Sequence, residues 1–445
     1  MDKKSVTIIG GGLAGLASAV FLSSRKDEFD ISIYEASPKL GGRAYSFKDS
    51  KTGLYFDNGQ HILAGWYKNT FDYLKIVGTF GKLSFQKSLE VNFIDIDGSV
   101  LKLKPPNLPA PFDILSGLYK FKKFSAKDKL ALSMLSPGFL RSGKDMNALE
   151  LLDKLGQTQN LITYFWEPFI YAVFNAKPEN VSGELLMNIL RIGFLKPGNS
   201  NLVIPNVNLN ELFIDDAIKY FDTKGINYFT GDKISSVELD GDKMISAVKE
   251  NGEKITADYF ISAVPFFRFT EVFSNIEPFK KVSNLRSSSI TSIHIFFSED
   301  IPESMLADNS FGMTGLIGRT VQWIFKRNPR HLSLVISGSD FIDDGEGDSI
   351  TDTESQRIYE IAYADLCSSI KNFNSIPVSG YKVIKEKRAT FIPDNESIKY
   401  RLPQKTSYQN LFIAGDWTDT GYPATIESAI TSAKKCADLI LKAVT

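Results

Sequence analysis

The stretch Val6-Thr7-Ile8-Ile9-Gly10-Gly11-Gly12-Leu13-Ala14-Gly15 joins a β-branched run to a G-x-G-x-x-G turn. β-Branched side chains suit a pleated surface, and an unbroken run of them predicts a strand buried on both faces. Gly10 allows the tight turn, and Gly12 lets the backbone approach a pyrophosphate. Gly15 lets the following helix, about Leu13 to Ser24, pack closely on the sheet. That helix begins at Leu13 and Ala14, where free N–H groups and the positive end of the helix dipole favour phosphate. A second strand, Ile31-Ser32-Ile33-Tyr34, ends at Glu35, 20 residues past Gly15. An acid at that spacing accepts ribose hydroxyls and disfavours a 2′-phosphate. A glycine fingerprint alone is weak, but strand, turn, helix, strand and acid in register predict a Rossmann-like dinucleotide site.

The same segment mimics a secretory signal, because Asp2-Lys3-Lys4 precede an apolar run from Val6 to Leu22. Four glycines and its short length make that run a poor spanning helix, so the buried strand–helix reading is preferred. The expected location is cytoplasmic.

Composition bounds the rest. The chain has 445 residues, 43% hydrophobic and 23% charged, which fits a folded enzyme of two or three units. Two cysteines, Cys367 and Cys436, and three histidines, His61, His294 and His331, are too few for a zinc ribbon or a disulfide framework. No metal is expected. Lysine plus arginine number 51 against 52 acids, a net charge of -1, which gives no global attraction for nucleic acid. Charge is nevertheless uneven. Between 101 and 144, nine basic residues face two acids, whereas 339 to 356 holds seven acids and no base. The acidic run reads as a solvated loop and helix start, with Thr353-Glu354-Ser355-Gln356 in capping-box form.

After Glu35 the motif continues as Ala36-Ser37-Pro38-Lys39-Leu40-Gly41-Gly42-Arg43. Here the chain resembles the flavin-containing amine oxidase and phytoene desaturase superfamily. The resemblance implies FAD, with Gly42 and Arg43 along its pyrophosphate. It also puts the backbone of Ile234, in a run of short strands from Asn227 to Pro265, against adenine. Near the C-terminus, Leu411-Phe412-Ile413-Ala414 delivers Gly415-Asp416, and Pro423-Ala424-Thr425-Ile426-Glu427-Ser428-Ala429 opens a helix. In the superfamily this aspartate lies on the ribityl–phosphate chain, and Ala424, Thr425 and Ile426 meet the flavin pyrimidine end. Neither cysteine falls near a flavin-attachment position, so the expected FAD is non-covalent.

Finer detail narrows the likeness. Phe56-Asp57-Asn58-Gly59-Gln60-His61 with Gly65-Trp66-Tyr67, Trp166-Glu167-Pro168 with Asn175, and Asp416 through Ala429 resemble the squalene-associated FAD enzymes, the hydroxysqualene dehydroxylases. Tyr422 departs from the leucine more often found there. The resemblance implies reductive dehydroxylation of hydroxysqualene to squalene, within hopanoid and triterpene biosynthesis, on a long apolar isoprenoid. Loss of hydroxide needs an acid. His61 is the first candidate because imidazole titrates near neutrality, with Asp57 and Glu167 behind it. Each has a structural alternative: His61 could bond FAD or a loop, Asp57 could anchor structure, and Glu167 could simply open a turn. Trp166, Trp323 and Tyr422 are the aromatic candidates for substrate contact, with ordinary core packing as the alternative.

The expected fold is α/β: a Rossmann-like FAD domain from discontinuous segments 1–80, 204–265 and 376–445, plus an interleaved α/β substrate domain from 81–203 and 266–375. The basic segment 101–144 mixes lysines with Leu115, Leu118, Phe121, Leu130, Met134 and Phe139, which suits a helix on an anionic membrane surface at the inner face. A core helix with a solvated lysine face is the alternative. Rival functions are a carotenoid-type desaturase or saturase, an amine oxidase, and a catalytically silent FAD-bound lipid carrier.

Overall fold

The protein is described by a computed structural model covering residues 3–48, 53, 55–135, 143–274, 276–306 and 312–444. Phe139 and Arg141 of the basic segment lie outside these residues.

The strand Lys4–Ile9 stands in the middle of a five-stranded parallel sheet, between Phe29–Glu35 and Tyr259–Ser262. Asn227–Thr230 and Leu411–Ile413 complete its two edges, so three distant parts of the chain meet in one sheet. The helix Leu13–Leu22 is buried along its whole length. It is covered outside by the C-terminal helix Ile426–Val444, which turns Ile430, Ala433, Ala437 and Ile440 inward. Three antiparallel strands, Ile234–Asp240, Lys243–Lys249 and Lys254–Thr256, form an excursion between two of the parallel strands.

The second layer system is a seven-stranded mixed sheet in the order Val378–Phe391, Ser287–Phe297, His331–Ser337, Trp323–Asn328, Met313–Leu316, Val91–Ile94, Val100–Leu103. Successive side chains in a strand alternate faces. One face carries Ile293, Ile295, Leu332, Leu334 and Ile324, which form a core with Ile358, Ala362 and Leu366 of the helix Ser355–Ser369. The opposite face therefore carries Ser292, His294, Phe296, His331, Ser333, Val335, Trp323 and Phe325. A helical region between 112 and 194 completes this half.

Val378–Phe391 pairs along Ser287–Phe297 in the seven-stranded sheet. Two expectations need correction. The capping box at Thr353 does not form: Glu354 is the N-cap, and the Thr353 hydroxyl donates to Ser349 O and Asp344 Oδ2. The basic segment is not one helix. It is the strand Val100–Leu103 followed by two short helices, Phe112–Tyr119 and Ala126–Ser133. Leu118, Phe121, Phe124 and Leu132 are core residues, while Leu108, Phe112, Leu130 and Met134 are exposed.

Candidate active site

The glycine turn is closed by contacts that leave no room for side chains. A Cβ on Gly15 would sit 1.9 Å from Gly10 O, and Gly10 itself takes φ +107°. The second glycine pair docks on this turn. The Gly41 N–H donates to Gly11 O at 2.8 Å, and a Cβ on Gly42 would come within 3.0 Å of the Gly12 Cα. Gly12 caps the helix with no side chain, leaving the N–H groups of Leu13, Ala14 and Gly15 without intrahelical partners. Glu35 is locked beside them: its carboxylate accepts from the Gly11 N–H at 2.6 Å and the Ser37 N–H at 2.7 Å. The N–H groups of Gly231 and Asp232 donate to Ser37 O and Glu35 O, so the strand beginning at Ile234 starts next to that acid.

At the other end, Arg43 donates to Ala389 O at 2.6 Å and to Asp416 Oδ1 at 2.5 Å. Burial alone would lower the Arg43 pKa, but Asp416 outweighs it and holds the guanidinium charged. Gly415 bonds the Ser432 hydroxyl, and Thr425 accepts from the Ser428 N–H at 3.1 Å, which caps the C-terminal helix from Ile426. A bare glycine cradle, free helix N–H groups, an acid at the strand end and an arginine beside an aspartate fit a flavin dinucleotide along this line. Ala424 packs against the neighbouring core, and Ile426 opens the helix aimed at the site.

The loop after Phe56 joins the two halves. Asp57 is buried and fully engaged: Oδ1 accepts from the Ser46 hydroxyl at 2.6 Å and the Leu209 N–H at 3.1 Å, and Oδ2 meets Arg327 at 3.3 Å. Asn58 holds the Arg43 carbonyl through its side-chain amide. Burial keeps the His61 pKa below its ordinary value; Asp57 opposes this and Arg43 adds to it. Glu167 opens the helix Glu167–Phe174, where burial and then Glu179 raise its pKa against Lys177.

The aromatic candidates separate. Tyr422 stacks on Trp66 at 5.2 Å, and Tyr67 packs edge-on against Trp66 at 4.4 Å. Trp323 lies on the sheet face opposite the Ser355–Ser369 helix, 5.9 Å from Phe93, with its indole N–H unpaired. Trp166, by contrast, is buried in the helical core and donates to Gln157 at 3.0 Å, which is a packing role.

Three participants were not visible in the sequence. Glu427 buries its carboxylate and accepts from the Asn69 and Thr70 N–H groups at 3.0 and 2.9 Å, tying the C-terminal helix to the Trp66–Tyr67 loop. Its place in a recognisable motif was the available signal. His294 and His331 meet at 2.9 Å beside a cavity of about 120 Å³ that also touches Asp57, Gln60 and Arg327. No local pattern predicts that pairing. Among the described residues, no cluster of three or more potential metal ligands is present.

Residues 13–441 match the family described as flavin containing amine oxidoreductase. The chain belongs to that family, and its dinucleotide cradle makes it an FAD-dependent oxidoreductase. Within the family it is 30% identical to the hydroxysqualene dehydroxylase of Zymomonas mobilis subsp. mobilis, over 98% of this chain and 99% of that one. It is 28% identical to the protein of the same name from Rhodopseudomonas palustris, over 99% of both chains. A zeta-carotene desaturase from Synechocystis sp. is 23% identical over 98% of this chain and 97% of its own. The fold matches an oxidoreductase from Methanosarcina mazei with a TM-score of 0.72 at 15% identity, covering 98% of this chain and 100% of that one.

Proposed function

We propose that the protein reduces hydroxysqualene to squalene with release of water, as a step of hopanoid or triterpene formation. The observation that carries this is the full-length likeness to three hydroxysqualene dehydroxylases at 27–30% identity. The segments that distinguish this resemblance are 57–61 and 420–427. We assign the cofactor half to the parallel sheet with its two helices, and the substrate half to the seven-stranded sheet with the 112–194 helices.

Bound FAD, when reduced, supplies a hydride. This chain's residues do the rest. Gly10, Gly12, Gly15 and Gly42 let the dinucleotide lie close to backbone, Glu35 takes its ribose, Ile234 flanks its adenine, and Arg43 and Asp416 take the pyrophosphate and ribityl end. The final helix directs the N–H groups near Ala424, Thr425 and Ile426 toward the ring, where its positive end favours negative charge. Trp66, Tyr67 and Tyr422 offer ring faces to a developing allylic cation. His61, on the loop after Asp57, is the proton donor assigned to this junction. Its lowered pKa leaves it mostly neutral at pH 7, so it passes a proton on and does not store one.

Aromatic contacts run from Trp323 through Phe93 to the buried Phe121 and Phe124. Around the two short helices beyond them, exposed Phe112, Leu130 and Met134 accompany Lys120, Lys122, Lys127 and Lys129. We assign this edge to an anionic membrane surface from which a long isoprenoid enters. Among the described residues, no helix is long and apolar enough to cross a membrane. Incubation with hydroxysqualene and a reductant for the flavin, followed by lipid extraction, tests the proposal: squalene must accumulate. A desaturase would instead require oxidised flavin and an unsaturated product.

A further inference from the structure

We propose that His331 and His294 form a proton relay from a solvent-open cavity to the loop 57–61, delivering the proton that leaves with the substrate hydroxyl. The inference rests on the dehydroxylation reading. In that reaction the C–O bond breaks with its electron pair on oxygen. The new C–H bond takes its hydride from reduced flavin, so carbon is reduced by two electrons and flavin oxidised. With the anionic reduced flavin, which gives up hydride and no proton, oxygen leaves as water after gaining one proton from solvent.

Geometry supplies a path. The cavity opens beside Tyr55 and Asn328, which are exposed, and ends at His294 and His331, which are 3% and 5% exposed. His331 Nε2 and His294 Nδ1 share one hydrogen bond of 2.9 Å. The His294 ring also interacts with the Asp57 backbone, and its Nε2, at the far side of the ring, is buried with no partner of good geometry among the described residues. The hydroxyls of Ser333, directly across the ladder from His294, and of Ser292 are buried and unpaired as well. This polar strip runs beneath the loop: the Ser292 hydroxyl lies 3.8 Å from where a Cβ on Gly59 would be. Three unpaired polar groups in a row on one sheet face are what a line of proton-carrying water would use.

Electrostatics agree with relay and oppose charge storage. Burial drives His294 down to about 4 and His331 to about 3. Asp57 acts against this at His294, while Arg327 and Lys382 reinforce it; His331 is held down further by His294 and Arg327. Both rings are therefore neutral near pH 7, and a neutral imidazole can accept at one nitrogen while donating from the other.

The test uses the FAD-loaded protein in anaerobic single turnovers with hydroxysqualene, in water and deuterium oxide. His331→Ala and the conservative His331→Asn should slow flavin reoxidation about 10–100-fold. They should also raise the solvent isotope effect, and added imidazole should recover part of the His331→Ala rate with FAD affinity unchanged. A wild-type rate and isotope effect, or a slowed rate indifferent to imidazole and deuterium, overturns the relay. A second reading needs no substrate. The chain has only three histidines, so ¹⁵N-histidine spectra assign readily. The relay requires both rings to be neutral at pH 7 and the His294 Nδ1 signal to move in His331→Asn. A charged ring, or an unmoved signal, overturns the relay even if hydroxysqualene is not the substrate; absence of turnover in the wild type rejects only the substrate.

Discussion

Arg43 and Asp416, 373 positions apart in the chain, form an ion pair of 2.5 Å where the two glycine motifs meet the C-terminal helix. Each is placed by its own turn. Arg43 follows the Gly41–Gly42 pair docked on the first cradle, and Asp416 follows the parallel strand Leu411–Ile413. The pair therefore reports correct assembly of this half of the fold.

Arg43→Ala should weaken FAD binding by about 10–100-fold, the loss of a two-donor phosphate contact. Arg43→Lys should restore only part of it, since an ammonium cannot reproduce the planar fork. Flavin fluorescence titration of the apoprotein measures this. Unchanged affinity in Arg43→Ala would remove Arg43 from the cofactor site.

Gly15→Ala should be the most damaging single change in the cradle. The added methyl would sit 1.9 Å from Gly10 O, a contact that backbone alone must relieve. The expected cost is at least about 1–3 kcal/mol, with FAD lost on gel filtration. Gly53→Ala is the control: among the described residues nothing lies within 4 Å of its Cβ position, and its positive φ is what resists the change.

Glu427→Ala would leave the Asn69 and Thr70 N–H groups without their shared acceptor. Stability should fall by about 2–4 kcal/mol, counted as one to two unpaired buried groups. Chemical denaturation with the protein in its FAD-bound form gives the number. Glu427→Gln, which retains one acceptor oxygen, should lose less.

Much of this was readable in the sequence because it is local. The cradle, Glu35, the second glycine pair and the Asp416 strand each depend on short-range spacing, and each falls where the spacing places it. Pairing across long separations was not readable. His294 faces His331 only because Ser287–Phe297 and His331–Ser337 adopt one antiparallel register. Val378–Phe391 is set with the cofactor half in the sequence reading, and its pairing along Ser287–Phe297 depends on a partner about 90 residues away in the chain. Trp166 drew attention by its aromatic neighbours, yet Gln157 satisfies it inside the helical core.

Acid sensitivity follows from the two buried histidines. Their folded-state pKa values, about 4 and about 3, lie below the unfolded value near 6.5. Stability from keeping them neutral is fully present above about pH 6.5. It is lost as pH falls toward 4 and 3, at up to about 1.4 kcal/mol per pH unit for each group. Thermal melts from pH 7 to 4.5 should show a shallower decline in His294→Gln/His331→Gln than in the wild type. Parallel declines would contradict the buried neutral pair.

Replacing Lys120, Lys122, Lys127 and Lys129 by glutamine should reduce binding to vesicles containing phosphatidylglycerol, each cation contributing about 1 kcal/mol near an anionic surface. Vesicle flotation at low and high salt checks this. Binding that ignores both the substitutions and salt would place the membrane contact elsewhere.

Dehydroxylation is tested most directly by reducing the flavoprotein without oxygen, mixing it with hydroxysqualene, and following flavin absorbance while extracted lipid is quantified. Reoxidised flavin with one squalene formed per flavin is expected. Flavin that remains reduced in the presence of saturating hydroxysqualene would contradict it.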